Sequence, residues 1–196
     1  MAAFSAEEIA DIYEGATDAE GFAQLMGVIG RLMAVDTVGL WMIERGSITD
    51  IALSQNIVES SVPYLGYYQH IDPWRRSSVA LNSVYLGTDT ISEKTLVASE
   101  FYNDFARHYG MRQPLGVVLG SDMLNSTTLA LNRDTKRQPL DDADKARLEA
   151  MLPHLGGALA LRRRLQGGGR RGERRLSQAL DHLDMGVAIT SARGEL

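Results

Sequence analysis

Two pairs of β-rich segments constrain the fold of this chain more than any other feature. The first pair is Thr37–Glu44 and Ile48–Gln55, joined by the short turn Arg45-Gly46-Ser47. The second pair is Leu115–Gly120 and Ser126–Arg133, separated by a turn at Asp122–Asn125. Because strands joined by so short a connection must run in opposite directions, the sequence predicts two hairpins and an antiparallel sheet.

Amphipathic helices are predicted before, between and after the hairpins. Ser5 and Glu8 have the spacing of a capping box, and Val58–Trp74 and Glu100–Tyr109 repeat apolar residues at helical intervals. A long helix over Asp141–Arg164 carries a leucine stripe, formed by Leu148, Leu152, Leu155 and Leu159, and we expect a kink or a break at its interior Pro153. This order of elements predicts an α+β fold in which helices flank the sheet.

Several classes of function are excluded or disfavoured by composition. The chain has no cysteine, so it holds no disulfide, thiolate metal site or cysteine nucleophile. No nucleophile-elbow, phosphate-loop or zinc-protease motif is present, and the four histidines lack metal-ligand spacing: His70, His108, His154 and His182. We therefore expect no enzyme and no cofactor. No apolar run is long enough to span a bilayer, and the acidic N-terminus is unlike a secretion signal, which predicts a cytoplasmic protein without a membrane partner.

The net charge of −5 conceals two regions of opposite sign. Residues 1–161 sum to −9, which argues against nucleic-acid binding by this part of the chain. Residues 162–196 sum to +4, and seven arginines and four glycines fall within 162–175. That composition is typical of a solvated linker, although arginines could also contact DNA phosphates or an acidic partner.

An aromatic cluster at Tyr64–Trp74 gives the best candidate site. It contains three of the seven tyrosines and one of the two tryptophans, beside a carboxylate. Rings supply contact area in a small-molecule pocket, while hydroxyl and carboxylate groups orient the ligand. The same residues at helical spacing are also typical of core that covers a sheet. The candidate ligand-binding residues are Trp41, Tyr64, Tyr68, Asp72, Trp74 and Tyr102.

Five segments taken together resemble a known family. They are YYQHIDPW, SEFYNDFARHYGM, LALNRD, LPHLGGALALRRRL and ALDHLDMGVAIT. Their order is similar to that in the N-terminal region of bacterial LuxR-type helix-turn-helix transcriptional regulators. The resemblance implies a GAF/PAS-like sensor domain over 1–161, an Arg/Gly-rich linker over 162–175, and the start of a second PAS-like or connecting segment over 176–196. It also implies a DNA-binding domain of about 60 further residues. We therefore expect this chain to be a piece of a longer regulator that contacts DNA only through that domain.

Two functional hypotheses follow. In the first, a small molecule binds among the aromatic residues and shifts the long C-terminal helix, which controls the DNA-binding domain. In the second, the chain binds no small molecule and is a dimerisation or protein-interaction module, in which the leucine stripe pairs across a symmetric interface. A homodimer is compatible with both. The receptors for acyl-homoserine lactones place a tryptophan upstream of the Asp-Pro pair, whereas here Trp74 follows Asp72-Pro73.

Overall fold

The fold is described from a computed structural model. It describes residues 4–17, 22–75, 79–123 and 125–180, with the backbone alone for Ser121 and residues 166–180. The chain divides into two compact units, Met1–Ala158 and Leu159–Leu196, and the sheet belongs to the first. Of the described helices, none is long and apolar enough to cross a membrane.

Five antiparallel strands form one sheet, in the order β2-β1-β5-β4-β3. Both predicted hairpins are present: β1 (Thr37–Glu44) pairs with β2 (Ser47–Leu53), and β4 (Leu115–Asp122) pairs with β5 (Asn125–Asn132). Strand β3 (Val84–Leu86) pairs with β4 and lies at one edge, while β2 lies at the other and meets β1 with a register shift at Met42/Ile43. The α+β class with an antiparallel sheet and flanking helices is confirmed.

One face of the sheet is apolar at its centre and packs on helices. Val38 and Leu40 of β1 stand opposite Leu131 and Leu129 of β5, and all four side chains are buried. Helix α2 (Ala23–Met33) lies on this face, because a Cβ on its Gly30 would be 3.7 Å from Val38. Because successive side chains of a strand point to opposite faces, the residues between these four lie on the other face of the sheet, where the cavity described below is found.

Helices α1 and α6 complete the helical layer. Helix α1 (Ala6–Thr17) begins at the predicted capping box: the Glu8 N–H donates to Ser5 Oγ at 3.2 Å, and the Ser5 N–H donates to Glu8 Oε2 at 2.7 Å. The first turns of helix α6 (Asp142–Leu180) lie against α2, since Arg147 Nε donates to the Leu32 carbonyl at 2.9 Å.

The long helix differs from its prediction in two respects. It continues past Pro153 without a break, and its backbone remains helical through 162–175, the segment assigned to a linker. The leucine stripe is not an exposed surface: Leu148 and Leu155 are fully buried within the chain's own core. A dimer built on these two side chains is therefore wrong, because they have no surface to offer. Residues 181–196, including His182, lie outside the described residues.

The segments over the cavity face are more broken than predicted. Instead of one helix over Val58–Trp74, there are two 3₁₀ turns, Gln55–Ser60 and Tyr68–His70, around the short helix α3 (Ser61–Gly66). Glycine and proline explain the interruption, because Pro63 lacks an N–H and Gly66 is a poor helix former.

Further along the chain, short helices replace the elements expected from the sequence. Two of them follow β3 where no clear element was predicted, α4 (Gly87–Thr90) and α5 (Glu93–Val97). The helix expected over Glu100–Tyr109 is a π-helical turn, Phe101–Phe105, followed by a 3₁₀ turn, Ala106–Tyr109. Gly110 ends it with φ +69°, a conformation that glycine adopts without strain.

Candidate functional site

A cavity of about 260 Å³ lies between the sheet and the aromatic segments. Its floor comes from β1, β2, β4 and β5, and its walls come from the Tyr64–Trp74 region, β3 and the π-helical turn. The volume is slightly below the roughly 300–1,000 Å³ of common ligand pockets, which favours a compact occupant. Six aromatic side chains line the cavity: Trp41, Tyr64, Trp74, Tyr85, Phe101 and Phe105.

Three small residues lie side by side on the floor of the cavity. Strand register aligns five residues across the five strands, in the order Leu53, Gly39, Ala130, Gly116 and Tyr85, and the middle three are small. A Cβ on Gly39 would be 2.4 Å from the Trp41 ring, and one on Gly116 would be 2.5 Å from the Tyr85 ring. The two rings therefore occupy space that only glycine leaves free, with Ala130 between them.

Asp72 organises the polar wall of the cavity. Its Oδ2 accepts a hydrogen bond from the Tyr64 hydroxyl at 2.9 Å, and its Oδ1 accepts from the backbone N–H groups of Trp74 at 2.8 Å and Arg75 at 3.3 Å. The second set is an Asx turn, which the Asp-Pro sequence favours. The carboxylate thus connects α3 to the loop that carries Trp74, so it has a structural role whether or not a ligand is bound.

Burial shifts the pKa values of the ionisable groups on this wall. Desolvation raises the pKa of Asp72, and the bonds from Tyr64, Arg75 and Trp74 only partly oppose it. Burial first, and then the charge of Asp72, raise the pKa of Tyr64 well above 10.0 and that of Tyr85 to about 12. Both tyrosines therefore remain hydrogen-bond donors at neutral pH.

The raised pKa of Asp72 predicts a pH dependence of stability. Below about pH 3 the carboxyl is neutral in the folded and unfolded chains alike, and the unfolded chain ionises first as the pH rises. As the pH rises through the raised pKa, the folded chain must bury a charge, so this group's contribution to stability falls. In urea unfolding between pH 4 and pH 7, the free energy of unfolding of Asp72→Asn minus that of wild type should increase with pH.

The companion variant is Tyr64→Phe, which removes the hydroxyl that donates to Asp72 and raises the pKa of the carboxyl further. Its loss of stability should be larger at pH 7 than at pH 4. A difference between Asp72→Asn and wild type that is constant or falls with pH would contradict the assignment.

Three buried polar atoms of cavity-lining residues have no hydrogen-bond partner within the part of the chain that the structure describes. They are Nε1 of Trp41, Nε1 of Trp74 and Oδ1 of Asn132. A buried polar atom without a partner costs about 1–3 kcal/mol, so groups of this kind are normally paired. All three atoms have almost no accessible surface, so pairing with a bound molecule would need a change in side-chain conformation.

The structure brings together four of the six candidate residues. Trp41, Tyr64, Asp72 and Trp74 line the cavity. Tyr68 and Tyr102 do not line it: both pack against the aromatic cluster behind the wall, and Tyr68 stacks on Phe105 with ring centroids 4.7 Å apart. The expectation that these two residues face the pocket is therefore wrong: both lie in the core that supports it. Each was placed by the helical spacing of apolar residues in its own segment, and that spacing does not distinguish a cavity wall from core.

Sequence reasoning missed other residues of the site. Asn132, Ala130 and Tyr85 line the cavity, and Gly39 forms part of its floor. The one available indication was Gly39 within the β-rich segment Thr37–Glu44, because a glycine inside a strand often marks a place where a ligand or another part of the chain comes close to the backbone. Among the described residues there is no group of three or more histidines, cysteines or carboxylates that could hold a metal ion.

Comparison with known proteins finds solved structures with a similar architecture, although the sequence searches find no match. No family model matches the chain, and no curated protein matches it. Solved structures do match. The VqsR ligand-binding domain of Pseudomonas aeruginosa is 16% identical, with a TM-score of 0.60 over 80% of this chain and 94% of that one. The N-acylhomoserine lactone dependent LuxR-family factor CepR2 of Burkholderia cenocepacia is 21% identical, with a TM-score of 0.57 over 80% and 93%. The chain has the fold of LuxR-type ligand-binding domains.

A third structure extends this result. SdiA of Escherichia coli is 15% identical, with a TM-score of 0.54 over 80% of this chain and 68% of that one. The resemblance drawn from the sequence segments is therefore confirmed at the level of the fold. The cavity lies on the face of the sheet opposite the helical layer of that fold.

Proposed function

We propose that this chain is the ligand-sensing domain of a LuxR-type transcriptional regulator, working in the cytoplasm without enzymatic activity. The observation that carries the proposal is the aromatic cavity of about 260 Å³. A core that served only to cover the sheet would be expected to fill that space, because protein interiors are close-packed. The fold shared with solved ligand-binding domains supports the same function.

A direct connection between the cavity and α6 supports the mechanism. Asn132 lines the cavity, and the next residue, Arg133, forms an ion pair with Asp144 of α6 at 2.8 Å. Since alternate residues of a strand face opposite sides, a ligand that moves the end of β5 also moves the guanidinium that holds α6. Such a ligand controls a DNA-binding domain only if it binds one arrangement of α6 more tightly than another.

A melting-temperature screen tests the proposal. The panel consists of N-acylhomoserine lactones with chains of four to twelve carbons and of small phenols, indoles and aromatic amides. A compound at 100 times its Kd should stabilise the domain by about 2.7 kcal/mol, a rise of several degrees. No rise with any compound, up to the limit of solubility, would count against ligand sensing.

A filled cavity gives the matched control. Ala130→Leu places an isobutyl group between the Trp41 and Tyr85 rings and should abolish the rise in melting temperature. Thr49→Leu adds an apolar side chain at an exposed position on β2 of the same sheet and should leave the rise unchanged. Equal responses of the two variants would show that the compound binds elsewhere.

The dimer and the domain boundaries stay predictions. Leu148 and Leu155 are buried inside the chain, so a homodimer needs other side chains at its interface. The sensor over 1–161, the linker over 162–175, the segment from 176 and DNA contact through a separate domain remain parts of the proposal. The role of Trp41, Tyr64, Asp72 and Trp74 in holding the ligand is proposed on the same basis.

A further inference from the structure

Residues 55–66 carry apolar side chains on two sides, and only one of these sides is buried. The segment consists of the 3₁₀ turn Gln55–Ser60 and the helix α3 that follows it. On the inner side, Ile57 and Tyr64 line the cavity and are only 3% and 7% exposed. Packing within the domain therefore accounts for the apolar residues of this side.

The outer side of the same segment is an exposed apolar stripe. Val58, Val62 and Leu65 follow one another at intervals of four and three residues, which places them on one side of a helical path. Their exposed fractions are 44%, 78% and 37%. A helix that is apolar on more than one side is normally covered on each of them, and neighbouring exposed apolar side chains mark contact sites. These three side chains are named the outer stripe.

The charge around the outer stripe favours a second copy of this chain as its occupant. Within residues 55–71 the only Asp, Glu, Lys or Arg is Glu59, whereas residues 1–161 carry a net charge of −9. Two copies of so acidic a domain repel each other, and the repulsion is weakest where both present an uncharged surface. An uncharged surface also has nothing to steer a charged partner toward it. An apolar patch is complementary to itself, as a twofold-symmetric contact requires.

The residues that end α3 extend this surface. A Cβ on Gly66 would have nothing within 4 Å, so the backbone itself is open to an approaching molecule. Tyr67 is 50% exposed, and its hydroxyl donates to Glu100 Oε1 at 2.9 Å. Tyrosine is enriched in protein interfaces, where a polar rim surrounds an apolar centre. The outer stripe supplies such a centre, and the pair of Tyr67 and Glu100 supplies part of a rim.

We propose that two copies of this chain form a homodimer through the outer stripe, with Val62 nearest the twofold axis. Val62 is the most exposed of the three residues and lies between the other two along the chain, so a contact centred on the stripe brings the two Val62 side chains together. Three aliphatic side chains and a tyrosine cover less than the roughly 800 Å² per partner of a standard interface, so the dimer is weak and depends on concentration. This inference specifies the homodimer that forms part of the proposed function.

Sedimentation velocity of the full chain, from about 10 µM to about 1 mM, tests the contact. The wild-type chain should change from monomer to dimer within this range. Val62→Glu should raise the dissociation constant of the dimer at least about tenfold, because it places two like charges side by side in an apolar contact. Thr49→Glu adds the same charge at an exposed position of β2, so its dissociation constant should stay within about twofold of wild type.

Variants of opposite charge test the symmetry of the contact. Val62→Lys alone should weaken the dimer as Val62→Glu does. An equimolar mixture of the two variants should associate about tenfold more tightly than either variant alone, because unlike charges then meet at the axis. No gain on mixing would overturn the twofold contact at Val62.

The outcomes separate this inference from ligand sensing. A wild-type chain that is still monomeric at about 1 mM would overturn the inference and assign the outer stripe to another kind of partner. A Val62→Glu variant that dimerises like wild type would overturn it as well. Because Val62 does not line the cavity, this variant should keep the melting temperature of wild type and its response to the compound panel. Failure of the whole panel would remove ligand sensing and leave the dimer contact intact.

Discussion

Replacing Arg133 with alanine is expected to lower the free energy of unfolding by about 3 kcal/mol, because it breaks a buried ion pair. The side chains of Arg133 and Asp144 are only 12% and 17% exposed, and the guanidinium forms two hydrogen bonds to the carboxylate, at 2.8 and 3.0 Å. Arg133 Nε also donates to the Ala34 carbonyl at the end of α2, at 3.1 Å. One side chain therefore joins β5, α2 and α6. Urea denaturation followed by circular dichroism measures the loss.

The exposed pair Arg137–Asp36 is the matched control. Its two side chains are 45% and 38% exposed, so Arg137→Ala should cost less than about 1 kcal/mol. Arg133→Lys should remain destabilising, because an ammonium group cannot reproduce the two-pronged contact with Asp144. Equal losses for Arg133→Ala and Arg137→Ala would show that Arg133 does not hold these elements together.

Gly39→Ala is expected to destabilise the domain by about 1–3 kcal/mol and to change its tryptophan fluorescence. The new methyl group would lie 2.4 Å from Cη2 of Trp41, so the indole must leave its place on the cavity floor. Because Trp41 and Trp74 are the only tryptophans in the chain, the emission spectrum reports this displacement without a label. The variant should also lose the melting-temperature response to any cavity ligand.

Gly27→Ala provides a control of opposite sign. Gly27 lies within α2, and a Cβ there would have nothing within 4 Å. Alanine should therefore stabilise the domain by about 0.5–1 kcal/mol through its higher helix propensity, with no change in emission. A Gly39→Ala variant that unfolds and fluoresces like wild type would contradict the close packing of Trp41 on Gly39.

The hairpins were predictable because their signal is local. In β1 and β5, β-branched and apolar residues sit beside turn residues, and pairing between neighbouring segments of the chain needs no long-range information. The capping box of Ser5 and Glu8 is local in the same way. For Val84–Leu86 the sequence leaves a loop and a short strand equally open, since three residues carry too little pattern and the strand is defined by its pairing with β4.

The site was predictable only in part, for a physical reason. Asp72 and Tyr64 lie eight residues apart and carry visible polar groups, so composition drew attention to them. Asn132 and Tyr85 lie far away in sequence and come together only through sheet register. Tyr68 faces the core because the Val58–Trp74 segment breaks at Gly66 instead of continuing as one helix, a tertiary outcome that periodicity does not encode.

The edges of the sheet bear on how two copies can associate. Strand β3 has only three residues, and β2 meets β1 with a register shift. On β2 the Asp50 carboxylate accepts a hydrogen bond from the Ile51 N–H at 2.9 Å. This backbone donor is then not available for pairing with an added strand. Short, irregular and charged edges resist pairing with a further strand. Two copies of this domain should therefore associate through helices or loops, and a sheet continued from one copy into the next is disfavoured.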